Sequence, residues 1–163
     1  MPDGLLPTAA PTAATALEDP QAVAEAFLAA MAAGDADAAL AFVAEDITYV
    51  NVGFAPIRGR RAVEKVLRLL ERPGVGFEVY LHSIAQDGAS VLTERTDVLL
   101  KGGFRAQFWV WGRFDVRDGQ IVLWRDSFDF WDLLRANVRA LAGLAMPSLR
   151  PAPPRRLEDP PGR

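Results

Sequence analysis

Residues 77–130 read FEVYLHSIAQDGASVLTERTDVLLKGGFRAQFWVWGRFDVRDGQIVLWRDSFDF. Four runs in this stretch, Phe77–Gln86, Ser90–Leu100, Arg105–Val116 and Gln120–Phe130, are rich in the β-branched and aromatic residues that suit strands. The breaks between them are Asp87-Gly88, Lys101-Gly102-Gly103 and Asp118-Gly119, which are hairpin signals because these residues accept positive φ. Connections this short join antiparallel neighbours, so the stretch predicts a long meander.

Helices precede the meander. PQAVAEAFLAAMAAG (20–34) places Val23, Phe27, Ala30 and Met31 on one face, with Asp19 as N-cap, Pro20 in the first turn and Gly34 as the stop. A short helix is expected from Asp35 to about Val43, then a strand ITYVNV (47–52). GRRAVEKVLRLLERPG (59–74) reads as a third helix with Val63, Val66, Leu67 and Leu70 on one stripe and Pro73-Gly74 as its end. A last helix from Trp131 to about Ala142 closes the unit. Helices followed by a meander make an α+β layout. A strongly curved sheet wrapped over helices would form a cone with an internal pocket.

The folded unit is expected over about residues 17–147. Residues 1–16 (MPDGLLPTAAPTAATA) read as a flexible tail, and residues 148–163 as a proline-rich tail. The formal net charge of -3, with no concentrated basic face, argues against a nucleic-acid partner. No apolar run reaches the roughly 20 residues a membrane span needs, and the N-terminus lacks a signal-peptide pattern. The absence of cysteine removes thiolate catalysis and zinc–thiolate sites and is compatible with a reducing cytoplasm. His82 is the single histidine, so a multi-histidine metal site is excluded. His82 itself reads as structural.

Strand side chains alternate between faces. On that basis Thr93, Arg95, Asp97 and Leu99 share one face, as do Ile47, Tyr49 and Asn51, and as do Trp124, Asp126, Phe128 and Phe130. Each face mixes polar groups with large apolar ones, against the usual separation of polar and apolar sides. Two readings stay open at this level. The Asp and Arg residues form exposed cross-strand ion pairs, or Arg95 bridges Asp97 and Asp126 in a buried acid–base pair, where different surroundings hold one carboxyl ionised and the other protonated. Phe108, Val110 and Phe114 form a stripe that suits core or pocket lining, while Trp109 and Trp111 fall on the opposite face, where they could cover a subunit interface. Gly59-Arg60-Arg61 reads as a helix entry, since no glycine-rich phosphate loop accompanies it.

With the motifs YVN (49–51), ERTDVL (94–99) and LWRDSFDF (123–130), the chain resembles the limonene epoxide hydrolase family. NVGFAPIRGR (51–60) and VGFEVYLHSI (75–84) make it similar to the actinobacterial branch. The resemblance spans nearly all of the expected folded unit. It implies an NTF2-like fold, a homodimer, and an Asp-Arg-Asp triad at Asp97, Arg95 and Asp126, with Tyr49 and Asn51 positioning water. The corresponding reaction needs no cofactor or metal. It adds water to an apolar epoxide, of terpene-like, cyclic or lipid type, to give a vicinal diol, with Asp126 as base and Asp97 as acid. The apolar lining is expected from Leu28, Met31, Leu70, Val79, Leu99, Phe108, Val110 and Phe128. Ser127 departs from the aromatic residue common after the last triad aspartate, and the proline-rich tails are also atypical. The competing readings are a non-catalytic small-molecule binder on the same fold, and a ketosteroid isomerase or polyketide cyclase-like enzyme.

Overall fold

A computed structural model describes residues 19–154 of the chain. The order is α1 (Pro20–Ala33), α2 (Ala36–Ala41), β1 (Val43–Asn51), β2 (Ile57–Arg58), α3 (Arg60–Leu67), β3 (Val75–Asp87), β4 (Ser90–Lys101), β5 (Phe104–Arg117), β6 (Gln120–Ser127), α4 (Phe130–Ala145) and a 3-10 turn at Pro147–Leu149. The strands form one six-stranded sheet ordered β2-β1-β6-β5-β4-β3. Strands β3 to β6 make the expected meander, and β1 adds to β6 in parallel. Mixed pairing results because the chain must cross from β1 through α3 before the meander begins.

Local chemistry sets the turns. Asp118 and Gly119 connect Arg117 to its partner Gln120 with φ of 52° and 71°, the two positive values a tight two-residue hairpin requires. Gly34 ends α1 in the left-handed region at φ 68°, and its amide reaches the Ala30 and Met31 carbonyls. Asp19 occupies the N-cap position of α1 without a side-chain cap bond.

Several boundaries differ from the sequence reading. β1 starts at Val43, and α2 therefore stops at Ala41; α3 ends at Leu67, with Leu70 in the turn beyond it. β6 ends at Ser127 instead of Phe130 because Asp129 caps α4, accepting from the Trp131 and Asp132 amides at 2.7 and 3.0 Å. α4 extends to Ala145, past the expected end near Ala142. The short strand β2 has no counterpart in the sequence reading.

The main core lies between α1, α3 and the inner face of the sheet. Val23, Phe27, Ile47, Val63, Leu67, Val91, Phe114, Ile121 and Trp124 are buried there, and the Phe27 ring meets Phe114 and Trp124 edge-on at 6.0 and 5.1 Å between centroids. The sheet is curved, and register shifts at Leu81/Ser83 and Asp115/Val116 add twist where strands bend. β6 pairs only with Trp111–Arg117, so the first half of β5 lacks a β6 partner. α4 covers that half: Ala136 and Ala140 pack on Ala106, and the Trp109 amide donates to the Asp132 carboxylate at 3.1 Å.

The outer face carries His82, stacked on Trp109 with centroids 4.7 Å apart and hydrogen-bonded to the Thr96 hydroxyl at 2.8 Å. The described part of the expected C-terminal tail turns back on the domain. Arg150 donates to the Gly143 carbonyl, and Gln107 donates to the Ala152 carbonyl. The expected N-terminal tail (1–16) and residues 155–163 lie outside the described residues. Among the described residues, no helix is long and apolar enough to cross a membrane.

Candidate active site

Arg95 and Asp97 stand two apart on β4 and share its inner face. Asp126 comes from β6, two strands away. Between them runs β5, and there the facing residue is Gly112, paired with Thr93 on one side and Asp126 on the other. Because Gly112 has no side chain, the Arg95 guanidinium crosses over the β5 backbone to reach Asp126. A Cβ at 112 would collide with Arg95 Nη1 and would stand 2.5 Å from Thr93 Oγ1 and 3.2 Å from Asp126 Oδ1.

The guanidinium is committed to the cluster. Nε donates to Asp97 Oδ1 at 2.9 Å and Nη2 to Asp97 Oδ2 at 3.2 Å. Nη1 donates to Thr93 Oγ1 at 3.1 Å, and Nη2 lies 2.8 Å from Asp126 Oδ1. Arg95 is 1% exposed, and Asp97 and Asp126 are each 5% exposed. The sequence left open whether these residues form an exposed ion pair; their burial settles it. The Phe114 ring adds an apolar wall, 6.0 Å from the guanidinium carbon.

The two carboxyl groups have different surroundings. Arg95 clasps both oxygens of Asp97. Asp126 Oδ2 accepts from the Trp124 indole N–H at 2.9 Å. The contact of Asp126 Oδ1 with Arg95 is an ion pair out of hydrogen-bond alignment, so this buried oxygen retains accepting capacity. Two carboxylates with one cation leave an excess negative charge in a dry site. Burial pushes the Asp97 carboxyl up to about 6, with the Asp126 charge adding to the rise and Arg95 opposing it. The folded state thus favours protonated Asp97. This contribution is present below the ordinary value of 3.8 and is lost as pH rises through about 6.

Tyr49 and Asn51 on β1 are brought beside Asp126 by the parallel pairing, which sets Tyr49 against Trp124 and Asn51 against Asp126. The Tyr49 ring stacks on Trp124 with centroids 3.8 Å apart, and its hydroxyl oxygen accepts from Asn51 Nδ2 at 2.7 Å. Burial, then the negative charge of Asp126, raises the Tyr49 pKa well above the usual phenol value. Tyr49 therefore stays a neutral phenol whose O–H is a donor.

The expected lining residues divide by position. Leu28 and Met31 on α1 are buried in the main core, with Leu70 and Val79 packed against it. Val110 is buried beside Arg95, and half-buried Phe108 is the cross-strand partner of Asp97. Phe128 follows Asp126 by two residues and is half-buried. Leu99 is 38% exposed. It borders an open groove with Val75, Lys101, Phe104 and Leu144. Among the described residues, no group of three or more His, Cys, Asp or Glu could hold a metal ion.

Three contributors were not assigned a role from the sequence: Thr93, Gly112 and Trp124. An isolated glycine inside the strand FWVWGRFDV is the signal that was available for Gly112, since such a glycine marks a close approach. Nothing in the sequence distinguished the Trp124 indole from ordinary core.

A curved sheet closed by helices, with a buried Arg between two unequal carboxyl groups, defines an NTF2-like protein equipped for acid–base chemistry. Comparison with known proteins makes this specific. Residues 18–139 match the family model of the limonene-1,2-epoxide hydrolase catalytic domain. Epoxide hydrolase EphG of Mycobacterium tuberculosis is 50% identical over 126 residues, covering 77% of this chain and 84% of that protein. A solved M. tuberculosis LEH-like epoxide hydrolase superposes with a TM-score of 0.75 at 48% identity, covering 78% of this chain and 96% of that one. An NTF2-like protein of unknown function from Cytophaga hutchinsonii, at 16% identity and a TM-score of 0.59 over 71% of this chain and 95% of that one, shares the fold alone. The chain belongs to the limonene-1,2-epoxide hydrolase family.

Gly112→Ala tests the crossing of Arg95 over β5. The added methyl displaces the guanidinium, and misplacement by about 1 Å costs on the order of 100-fold in rate. Steady-state hydrolysis of an epoxide by a folded Gly112→Ala protein should fall by that order; wild-type turnover would show that Arg95 has room to spare.

Proposed function

We propose that this chain opens an apolar epoxide with water in a single step, using Asp126 as general base and Asp97 as general acid. The supporting observation is the buried Arg95, which clasps Asp97 and lies against an Asp126 oxygen that retains accepting capacity. Water is a poor nucleophile, so a base must take its proton as it attacks. Asp126 Oδ1 does this, while the Tyr49 O–H and the Asn51 side chain orient the water. The water oxygen bonds to one epoxide carbon, and the bond from that carbon to the epoxide oxygen breaks. Asp97 passes its proton to the departing oxygen, giving a vicinal diol. One proton is gained by Asp126 and one lost by Asp97, so transfer between them resets the site. Arg95 stays charged throughout and steadies whichever carboxyl is ionised.

A non-catalytic binder has no use for two carboxyl groups held unequal by an arginine in a dry site. An isomerase of the ketosteroid type needs an oxyanion hole of a tyrosine and a protonated aspartate. Tyr49 and Asp97 supply those group types, so turnover of a steroid enone assayed beside hydrolysis of limonene oxide separates the two readings. The apolar neighbours Val110, Phe108 and Phe128 fit a terpene-like, cyclic or lipid epoxide.

The same reading includes a homodimer. Trp111 on the outer face, and Trp131, Leu134, Val138 and Leu141 along α4, are each more than half exposed. Isolated exposed apolar residues are ordinary, but a continuous helical stripe is a contact surface. A second copy of the chain is the proposed occupant, and equilibrium sedimentation at micromolar concentration should give the mass of two chains; a strict monomer would refute it.

Asp97→Asn and Asp126→Asn should retain the fold by circular dichroism and lose at least about 1000-fold in kcat, within the range for removal of a general acid or base. Single turnover in heavy-oxygen water should label only the diol. Label appearing in an enzyme carboxylate would indicate a covalent ester and would overturn the one-step route.

The acid must carry its proton in the free enzyme. With the Asp97 carboxyl raised to about 6, kcat/KM should decline as pH rises through that value. A flat profile between pH 5 and 8, measured in buffers of constant ionic strength, would remove Asp97 from the acid role.

A further inference from the structure

The acid–base step does not account for the aromatic rings that border the triad. Phe108 is the cross-strand partner of Asp97. Phe128 lies two residues past Asp126. Phe54 is in the turn after Asn51, where its amide donates to the Asn51 carbonyl at 2.9 Å. Each strand that supplies a carboxyl or water-positioning group is thus followed or faced by a phenylalanine. The rings also meet one another. Centroids are 6.1 Å apart for Phe108–Phe128, 6.4 Å for Phe54–Phe128, 5.5 Å for Phe128–Phe130 and 5.6 Å for Phe54–Phe130, all tilted or edge-on. Phe108 and Phe128 are half-buried, whereas Phe54 and Phe130 are 58% and 53% exposed. The series runs from the Asp97 carboxyl outward to solvent.

The backbone is built to hold this arrangement. Gly53 adopts φ of 97°, and a Cβ there would stand 2.9 Å from Phe130 Cε2, so only glycine lets the Phe130 ring lie against the turn. The Asp129 carboxylate fixes the backbone between Phe128 and Phe130 by capping α4. Aromatic rings prefer edge-to-face and offset partners over simple apolar contact, and here Phe108 stands opposite Asp97 in the strand register while Phe54 and Phe130 leave more than half of their surface exposed. An aliphatic substituent would gain burial at these rings but not the quadrupole complementarity.

We propose that Phe54, Phe108, Phe128 and Phe130 form an aryl subsite, which favours epoxides bearing a flat aromatic ring on an oxirane carbon. It rests on the reading of the triad as an epoxide-opening site and narrows the apolar substrate to this class.

The test compares kcat/KM for phenyloxirane and cyclohexyloxirane, equal in carbon count, in the wild type, Phe54→Leu and Phe128→Leu. Phenyloxirane is the more reactive by its own chemistry, so the quantity read is the change in the ratio between wild type and variant. Loss of an aromatic pair should lower the phenyl-to-cyclohexyl ratio by about three- to tenfold. Calorimetric binding of the two product diols to wild type and Phe54→Leu reads the same preference without turnover. Failure to hydrolyse either oxirane would count against the hydrolase reading, and the diol affinities would still decide the subsite. Unchanged ratios in both variants and equal diol affinities would overturn it, leaving the rings packed on each other or beneath another segment of the chain.

Discussion

The site depends on one buried positive charge. Removing a guanidinium from water costs several kcal/mol unless every donor is met. Arg95 is held by hydrogen bonds to Asp97 and Thr93 and by the charge of Asp126, and in this way brings groups from β4 and β6 together across β5. The single cation cannot neutralise two carboxylates in a dry site, and this imbalance makes the carboxyls unequal. Burial drives Asp97 toward its protonated form against the pull of Arg95 on both its oxygens, whereas Asp126 keeps an oxygen without an aligned donor. Two groups of the same residue type are thus set in different surroundings.

The rest of the fold maintains the conditions under which Arg95 is costly. The core of α1, α3 and the sheet excludes water from one end of the inner face, and Phe27 ties that core to Trp124. Trp124 therefore has two roles. Its ring packs between Phe27 and Tyr49, while its N–H holds Asp126. The parallel addition of β1 to β6 carries Tyr49 and Asn51 to the same place. At the other end α4 closes the half of β5 that β6 does not reach, and Phe108 and Phe128 lie between that closure and the carboxyl groups. Stability and chemistry are in tension here: a group protonated by burial at Asp97 becomes a liability as pH rises, and the apolar core must offset it.

Much of this was legible in the chain before folding. The hairpin dipeptides place the strand ends, and period-two alternation puts Arg95 with Asp97, Tyr49 with Asn51, and Trp124 with Asp126 on common faces. Local rules suffice there because each is set by neighbouring residues. The boundaries that shifted were those under competing local signals. FDFWD carries strand-forming aromatics and a helix cap together, and the cap at Asp129 prevailed. α3 lost its last turn although LRLLER is a good helical sequence, and β2 was too short to carry a pattern.

Sequence alone determined which residue types face the same way along each element, because that depends on backbone geometry over a few residues. Strand order was not so determined: nothing local says that β1 pairs with β6, or that β5 separates Arg95 from Asp126. Only the tertiary structure decided that Gly112 falls beneath the guanidinium, that Trp124 gives its N–H to Asp126, and that Leu99 reaches solvent while Arg95 does not. These are distances between segments far apart in the chain, and burial, which raises the Asp97 carboxyl, is a property of all the layers packed around it.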